Sequence, residues 1–126
     1  MGSFDVSFSI LGEPASKANS RKAVFIRGRP AFIKSAKARG YVDAFAKQCP
    51  TLDCPTKDDV KVEMVIYYAT RRPDLDESLI LDCMQHKIYA NDRQVKQKFI
   101  YWGLDRDNPR TLIRVSSCDI TNLPDI

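Results

Sequence analysis

The sequence predicts an α/β (α+β) domain, a mixed β-sheet of about four to five strands with two helices. Three observations lead there. Phe4, Val6, Phe8 and Ile10 alternate with Asp5, Ser7 and Ser9, and Val60, Val62, Met64, Ile66 and Tyr68 alternate with Lys61, Glu63, Val65 and Tyr67. That period of two is the pattern of strands with a buried face. Ala38, Tyr41, Val42 and Phe45 instead recur at i, i+3, i+4 and i+7, the stripe of an amphipathic helix. Finally, strand and helix candidates interleave along the chain, which favours one mixed sheet covered by helices.

The elements follow in order. After the first strand, Gly12-Glu13-Pro14-Ala15-Ser16-Lys17-Ala18-Asn19-Ser20-Arg21-Lys22 breaks both periodicities and reads as a loop. Val24-Phe25-Ile26 and Ala31-Phe32-Ile33 flank Arg27-Gly28-Arg29-Pro30, predicting a short hairpin with a basic tip. Ser35 stands as the N-cap of the first helix, which should end near Gln48, before Pro50. The strand from Val60 has a second face that is half apolar and calls for cover. Arg71-Arg72-Pro73 stops it, because proline cannot donate to a ladder, and a second short helix is predicted from Asp76 to about His86. Val95 to Leu104 reads as a long strand, Asp105 to Pro109 as a turn, and Thr111 to Ser116 as its hairpin partner.

The 126 residues suit a single domain over 1–126, and 44% hydrophobic content suffices for one modest core. No run approaches the ~18–20 apolar residues of a membrane span, and no basic N-terminal segment leads into a long apolar one, so a soluble, unsecreted protein is expected. Four dispersed cysteines predict reduced thiols rather than a disulfide scaffold. A net charge of +4 permits a polyanionic partner without demanding one.

Asp74 and Asp76 carry the most chemistry. In an extended segment, residues two apart project to one side, so both carboxylates can reach one point. Hard cations such as Mg²⁺ take oxygen ligands of this kind, with water and substrate phosphate completing the shell. The same residues have a simpler reading, because Asp74-x-x-Glu77 also has the form of an aspartate capping box. On motif shape alone the cap is favoured, since caps far outnumber metal sites.

A longer pattern shifts that balance. Arg71-Arg72-Pro73-Asp74-Leu75-Asp76 is followed by Leu81-Asp82-Cys83-Met84, then by Ile88-Tyr89-Ala90-Asn91-Asp92-Arg93-Gln94-Val95, and then by a strand carrying Lys96 and Lys98. This resembles the RusA family of Holliday junction resolvases, with its Pro-Asp-Leu-Asp-Asn motif, its Leu-Asp-Ala-Leu-like helix end and its Tyr-x-Asp-Asp-x-Gln-Val/Ile segment. Gly12-Glu13-Pro14-Ala15-Ser16-Lys17-Ala18-Asn19 is similar to the family's loop after strand one. The resemblance implies a metal-dependent endodeoxyribonuclease in which Asp74, Asp76 and Asp92 are catalytic and hold Mg²⁺, with Mn²⁺ as the alternative ion. It also implies that Asp82 occupies a helix position where the family places an aspartate. Its implied substrate is four-way or other branched DNA, cut by a homodimer, whose symmetry matches that of a four-way junction. The implied setting is the cytoplasm of a bacterium or phage-infected cell, acting in recombination and repair. Three positions depart from the pattern, and one is Asn91, which stands where the family often has the first of two aspartates, the second being retained as Asp92. Glu77 replaces the motif's Asn, and Ile80 stands at the spacing of the family's helix lysine, leaving Lys17, Lys22 or Lys87 to supply that charge.

Lys17, Arg21, Lys22, Arg27 and Arg29 fall in the loop and hairpin, Arg71 and Arg72 beside the acidic motif, and Arg93, Lys96 and Lys98 after Asp92. Cations so placed would neutralise phosphates without reading sequence. Phe25, Phe32, Tyr67, Tyr68 and Trp102 have strand-like spacing and are expected in the core rather than stacked on bases. Cys83-x-x-His86 lacks a Cys-x-x-Cys partner for zinc, nothing orients the sole histidine, His86, as the base of a nucleophilic site, and no glycine-rich phosphate loop appears. The rival to an enzyme is a non-catalytic branched-DNA-binding protein on the same fold.

Overall fold

The computed structural model describes residues 4–16 and 21–126. The first alternating run forms β1 (Asp5–Leu11). A hairpin follows, β2 (Arg21–Ile26) and β3 (Arg29–Lys34). Its turn is the residue pair Arg27 and Gly28, at φ 52° and 78°. Positive φ at both central positions matches the twist of the flanking strands, and Gly28 meets that requirement without a Cβ penalty.

The first helix, α1 (Ala36–Gln48), starts where expected. The Ser35 hydroxyl accepts from the Ala38 backbone N–H, and Ala38, Tyr41 and Phe45 form the buried stripe. Gln48 in its last turn bonds both backbone groups of Leu11, its Oε1 accepting at 2.8 Å and its Nε2 donating at 3.2 Å. The remaining elements are β4 (Val60–Tyr68), α2 (Ser78–Met84), a 3-10 turn at Asp92–Gln94, β5 (Val95–Leu104) and β6 (Arg110–Ser117).

The main sheet has the order β1-β6-β4-β5, with β4 and β5 parallel and the other pairs antiparallel. The expected β5–β6 hairpin therefore does not form: β6 inserts between β1 and β4, and the connection crosses the end of β4, where the Asp105 N–H donates to the Tyr68 carbonyl at 2.9 Å. The composition of the strands explains the exchange. Val60, Val62, Met64, Ile66 and Tyr68 are all buried, and Val65 and Tyr67 make the other face of β4 apolar too, so β4 belongs at the centre with a neighbour on each side. β5 takes the edge beside it, with Lys96 and Lys98 exposed near its start.

One face of the sheet meets α1 and α2 in a core that joins Ile10, Phe45, Val62, Ile66, Ile80, Met84 and Val115. On the opposite face, where the half-apolar side of β4 called for cover, Tyr101 and Leu112 remain exposed. There Tyr67 lies directly over Gly103 of β5, and Arg110 stacks on the Tyr67 ring at 4.2 Å. A Cβ on Gly103 would stand 2.7 Å from the Tyr67 ring. Gly103→Ala should therefore lift that ring, disturb the Arg110 stack and cost about 1–3 kcal/mol, read as a lower urea midpoint at unchanged m-value.

Candidate active site

Two short segments with tight anchoring carry the acidic residues. The first is the loop after β4. Tyr68, buried at the end of that strand, donates its hydroxyl to the Asp74 carbonyl at 3.2 Å and accepts from the Asp76 N–H at 3.3 Å. Trp102 of β5 stacks on Tyr68, with ring centroids 5.9 Å apart, and donates its indole N–H to the Pro73 carbonyl at 3.1 Å. Both rings thus use an apolar body for packing and one polar atom to hold the backbone from Pro73 to Asp76. Glu13, from the loop after β1, accepts from the Ala69 N–H at 2.8 Å and closes the end of β4 from the other side.

These contacts displace the capping-box reading. The N-cap of α2 is Glu77, whose side chain makes no capping bond, and Asp76 instead accepts from the Ser78 N–H at 3.0 Å. Asp74 contributes its carbonyl to Tyr68 and presents an exposed side chain. The helix is correspondingly shorter than expected, Ser78–Met84 rather than Asp76 to His86, because the backbone from Pro73 to Asp76 is bonded to Tyr68 and Trp102 and His86 turns to φ 68°. Ile80, at the spacing of the missing helix lysine, is fully buried in the core.

The second segment runs from Ile88 to Gln94. Asn91 accepts from the Arg93 N–H at 2.8 Å and opens the 3-10 turn that carries Asp92. Gln94 secures this turn on both sides. Its Oε1 accepts from the N–H groups of Ala90 and Asn91, and its Nε2 donates to the carbonyls of Thr56 and Asp58 at 2.8 Å each. The Asp92 N–H donates to Gln85 Oε1 at 3.1 Å, tying the turn to the end of α2. Buried Tyr89 donates to the Leu81 carbonyl at 2.6 Å and completes that junction. The sequence pattern marked Gln94 only as part of a motif, and its four bonds give that position its physical reason.

Asp92 is paired with Asp82 from the second turn of α2. Partial burial pushes the Asp82 carboxyl above the ordinary aspartate value, and the Asp92 charge and a shared side-chain hydrogen bond push it further, while Lys34 and Arg21 oppose the shift. Asp74 and Asp76 lie before α2, whose seven residues rise about 10 Å, and Asp82 and Asp92 lie toward its other end. Among the described residues no three His, Cys, Asp or Glu side chains stand grouped at metal-holding spacing. The donors on both segments are nonetheless all carboxylate oxygens, and the Asp82–Asp92 pair holds like charges together, the donor chemistry that suits a hard divalent cation.

Cations border both segments. Lys98 of β5 forms an ion pair with Glu77 at 2.9 Å, bringing an ammonium to the residue that replaces the motif's Asn. Arg71 and Arg72 are exposed in the acidic loop, and Arg93 and Lys96 are exposed near Asp92. Lys34, which the sequence reading passed over, and Arg21 lie at the base of the hairpin within electrostatic reach of Asp82. Lys22, Arg27 and Arg29 are exposed farther along the hairpin, Lys87 bonds Thr51 Oγ1 at 3.3 Å, and Lys17 lies outside the described residues. The cysteines are free, and burial pushes the thiols of Cys49 and Cys83 up to about 11. Both are therefore protonated at neutral pH, which does not suit a nucleophile.

The candidate site is thus two acidic, cation-bordered segments of an α+β domain, one on the loop after β4 and one on the turn before β5. The sequence profile of the family described as Endodeoxyribonuclease RusA matches residues 12–116. The chain belongs to that family of endodeoxyribonucleases. A search of curated proteins finds no match to it.

Two outcomes test this construction. Gln94→Ala, which leaves four backbone groups to find other partners, should cost about 1–3 kcal/mol of stability in urea denaturation. The raised Asp82 carboxyl makes the second outcome pH-dependent. An acid whose folded value exceeds its unfolded value costs nothing while protonated in both states, and destabilises progressively as pH rises from the ordinary aspartate value through the raised one. Asp82→Asn should therefore melt with the parent protein below about pH 3.5 and above it at pH 7, in thermal scans without divalent cations.

Proposed function

We propose that this protein is a Mg²⁺-dependent, structure-selective endodeoxyribonuclease that resolves Holliday junctions or related branched DNA by paired incisions, acting as a homodimer. The observation that carries the reading is the convergence of a RusA-family match with two anchored carboxylate segments bordered by cations on neighbouring elements. Asp74, Asp76 and Asp92 are the residues that would hold Mg²⁺, or Mn²⁺ in its place, with Asp82 beside Asp92. Bound there, the ion would supply Lewis-acid charge to the scissile phosphate and lower the pKa of an attacking water.

The chain's own groups have separate tasks. Tyr68 and Trp102 fix the backbone that presents Asp74 and Asp76, so that little reorganisation is left for the reaction. Gln94 and Gln85 hold Asp92 toward the same helix. Arg71, Arg72, Lys96 and Lys98 take flanking phosphates, and Lys98 stands in for the absent helix lysine through its approach to Glu77. Two protomers on a two-fold junction each make one incision.

A second reading has one observation in its favour: fully buried Ile80 at the helix-lysine position leaves no cation on α2 itself, as in a binding protein that has lost its chemistry. Nicking of a synthetic four-way junction separates the two. The enzyme reading expects Mg²⁺-dependent cleavage by the natural sequence, and a loss of at least about a hundredfold in Asp76→Asn and in Asp92→Asn with junction binding retained. Lys98→Ala should slow cleavage by roughly ten- to a hundredfold. Wild-type binding without cleavage at any Mg²⁺ or Mn²⁺ concentration would establish the binding protein instead.

A further inference from the structure

Among the described residues the β2–β3 hairpin pairs only with itself, as a two-stranded sheet separate from the main one. Its register places Arg21 with Lys34, Ala23 with Phe32, and Phe25 with Pro30 on one face. All six are exposed, and the two aromatic rings are open to an unusual degree: Phe25 is 79% and Phe32 72% accessible. On the other face Val24 and Ala31 are half-buried. The expectation that both phenylalanines belong to the core is thus overturned. They stand diagonally adjacent on the fully open side of a projecting ribbon.

A two-stranded ribbon is marginal in water on its own, and two open phenylalanines deepen the need for a partner. Charge decides which partner. From Arg21 to Lys34 there are five cations and no carboxylate. A second copy of the same face would bring two such cation sets together, whereas a polyanion neutralises them. Arg21 and Lys34, at the base of the open face, also act on Asp82, so the ribbon springs from beside the acidic centre. An intact duplex offers phosphates and base edges to a ribbon but hides the flat faces of its bases. Aromatic rings gain most where those flat faces are uncovered, as in single strands and at branch points.

We infer that the open face of the β2–β3 hairpin is the branch-recognition element of this protein: Phe25 and Phe32 stack on bases uncovered where duplex arms meet, and Arg21 and Lys34 hold the phosphates beside them. The inference rests on the branched-DNA reading above and adds to it the part of the substrate that is recognised. Neither ring belongs to the core, so removing them leaves the fold's apolar interior intact.

The test uses the full-length protein in Ca²⁺ without Mg²⁺, a four-way junction carrying 2-aminopurine at the branch point, and a duplex carrying it internally. Wild-type protein should change the fluorescence at the branch point and not in the duplex. Phe25→Ala with Phe32→Ala should abolish that change and lower the junction-over-duplex affinity ratio at least about tenfold, the scale of base–aromatic stacking. Phe25→Trp with Phe32→Trp should restore both. A double-alanine variant with the wild-type fluorescence change and affinity ratio would overturn the inference while leaving the branched-DNA reading in place. So would a double-alanine variant that sediments as a monomer where the parent sediments as a dimer, because a second copy would then cover the face. A wild-type protein with no preference for the junction would overturn the branched-DNA reading itself, and this inference with it.

Discussion

The grip of Tyr68 and Trp102 on the backbone from Pro73 to Asp76 is the constraint on which the rest of the site depends. A loop that leaves a central strand is ordinarily free to sample many conformations, and holding it in one costs conformational entropy. Here that cost is met during folding. Tyr68 is buried because it ends the central strand, Trp102 stacks on it because β5 runs parallel to β4, and each ring then has one polar atom that must find a partner. The loop backbone supplies those partners. The parallel pairing therefore matters beyond sheet stability, because it brings two rings from distant parts of the sequence to the same end of the sheet.

The second acidic segment is built on a similar principle with a different residue. Gln94 spends all of its side-chain bonding capacity on four backbone groups, two in its own turn and two in the loop before β4. Asp92 is thereby fixed relative to α2 without using its own carboxylate, which remains available to Asp82. Neighbouring side chains thus do most of the anchoring of the backbone in both segments, which limits the reorganisation left for a reaction.

Much of this was legible in the sequence where a single element decides its own fate. Strict alternation gave β1 and β4, and Ser35 with its apolar stripe gave α1 at both ends. Long-range choices were not legible. Nothing in Thr111 to Ser116 says that it will pair with β1 and β4 rather than with the strand just before it, because that outcome depends on which strand most needs two neighbours. The capping box around Asp74 and Glu77 failed for the same reason, since the competing bonds come from Tyr68 and Trp102, six and 28 residues distant from Asp74. Phe25 and Phe32 misled in the opposite direction. Their spacing is that of a strand, but a strand in a hairpin that joins no larger sheet buries little. Of the candidate site, the sequence carried Asp74, Asp76, Asp82 and Asp92 through a family pattern, while Lys34 and the structural work of Gln94 emerged only once the chain was folded.

The proposed chemistry requires the two carboxylate segments to serve one ion. The most direct measurement is anomalous diffraction from crystals of the protein grown with Mn²⁺. A shared ion would give a peak within about 2.0–2.4 Å of carboxylate oxygens from Asp76 and Asp92 together, with Asp74 in or next to the same shell. A peak bound by only one of the two segments, or no peak between them at saturating Mn²⁺, would contradict that chemistry.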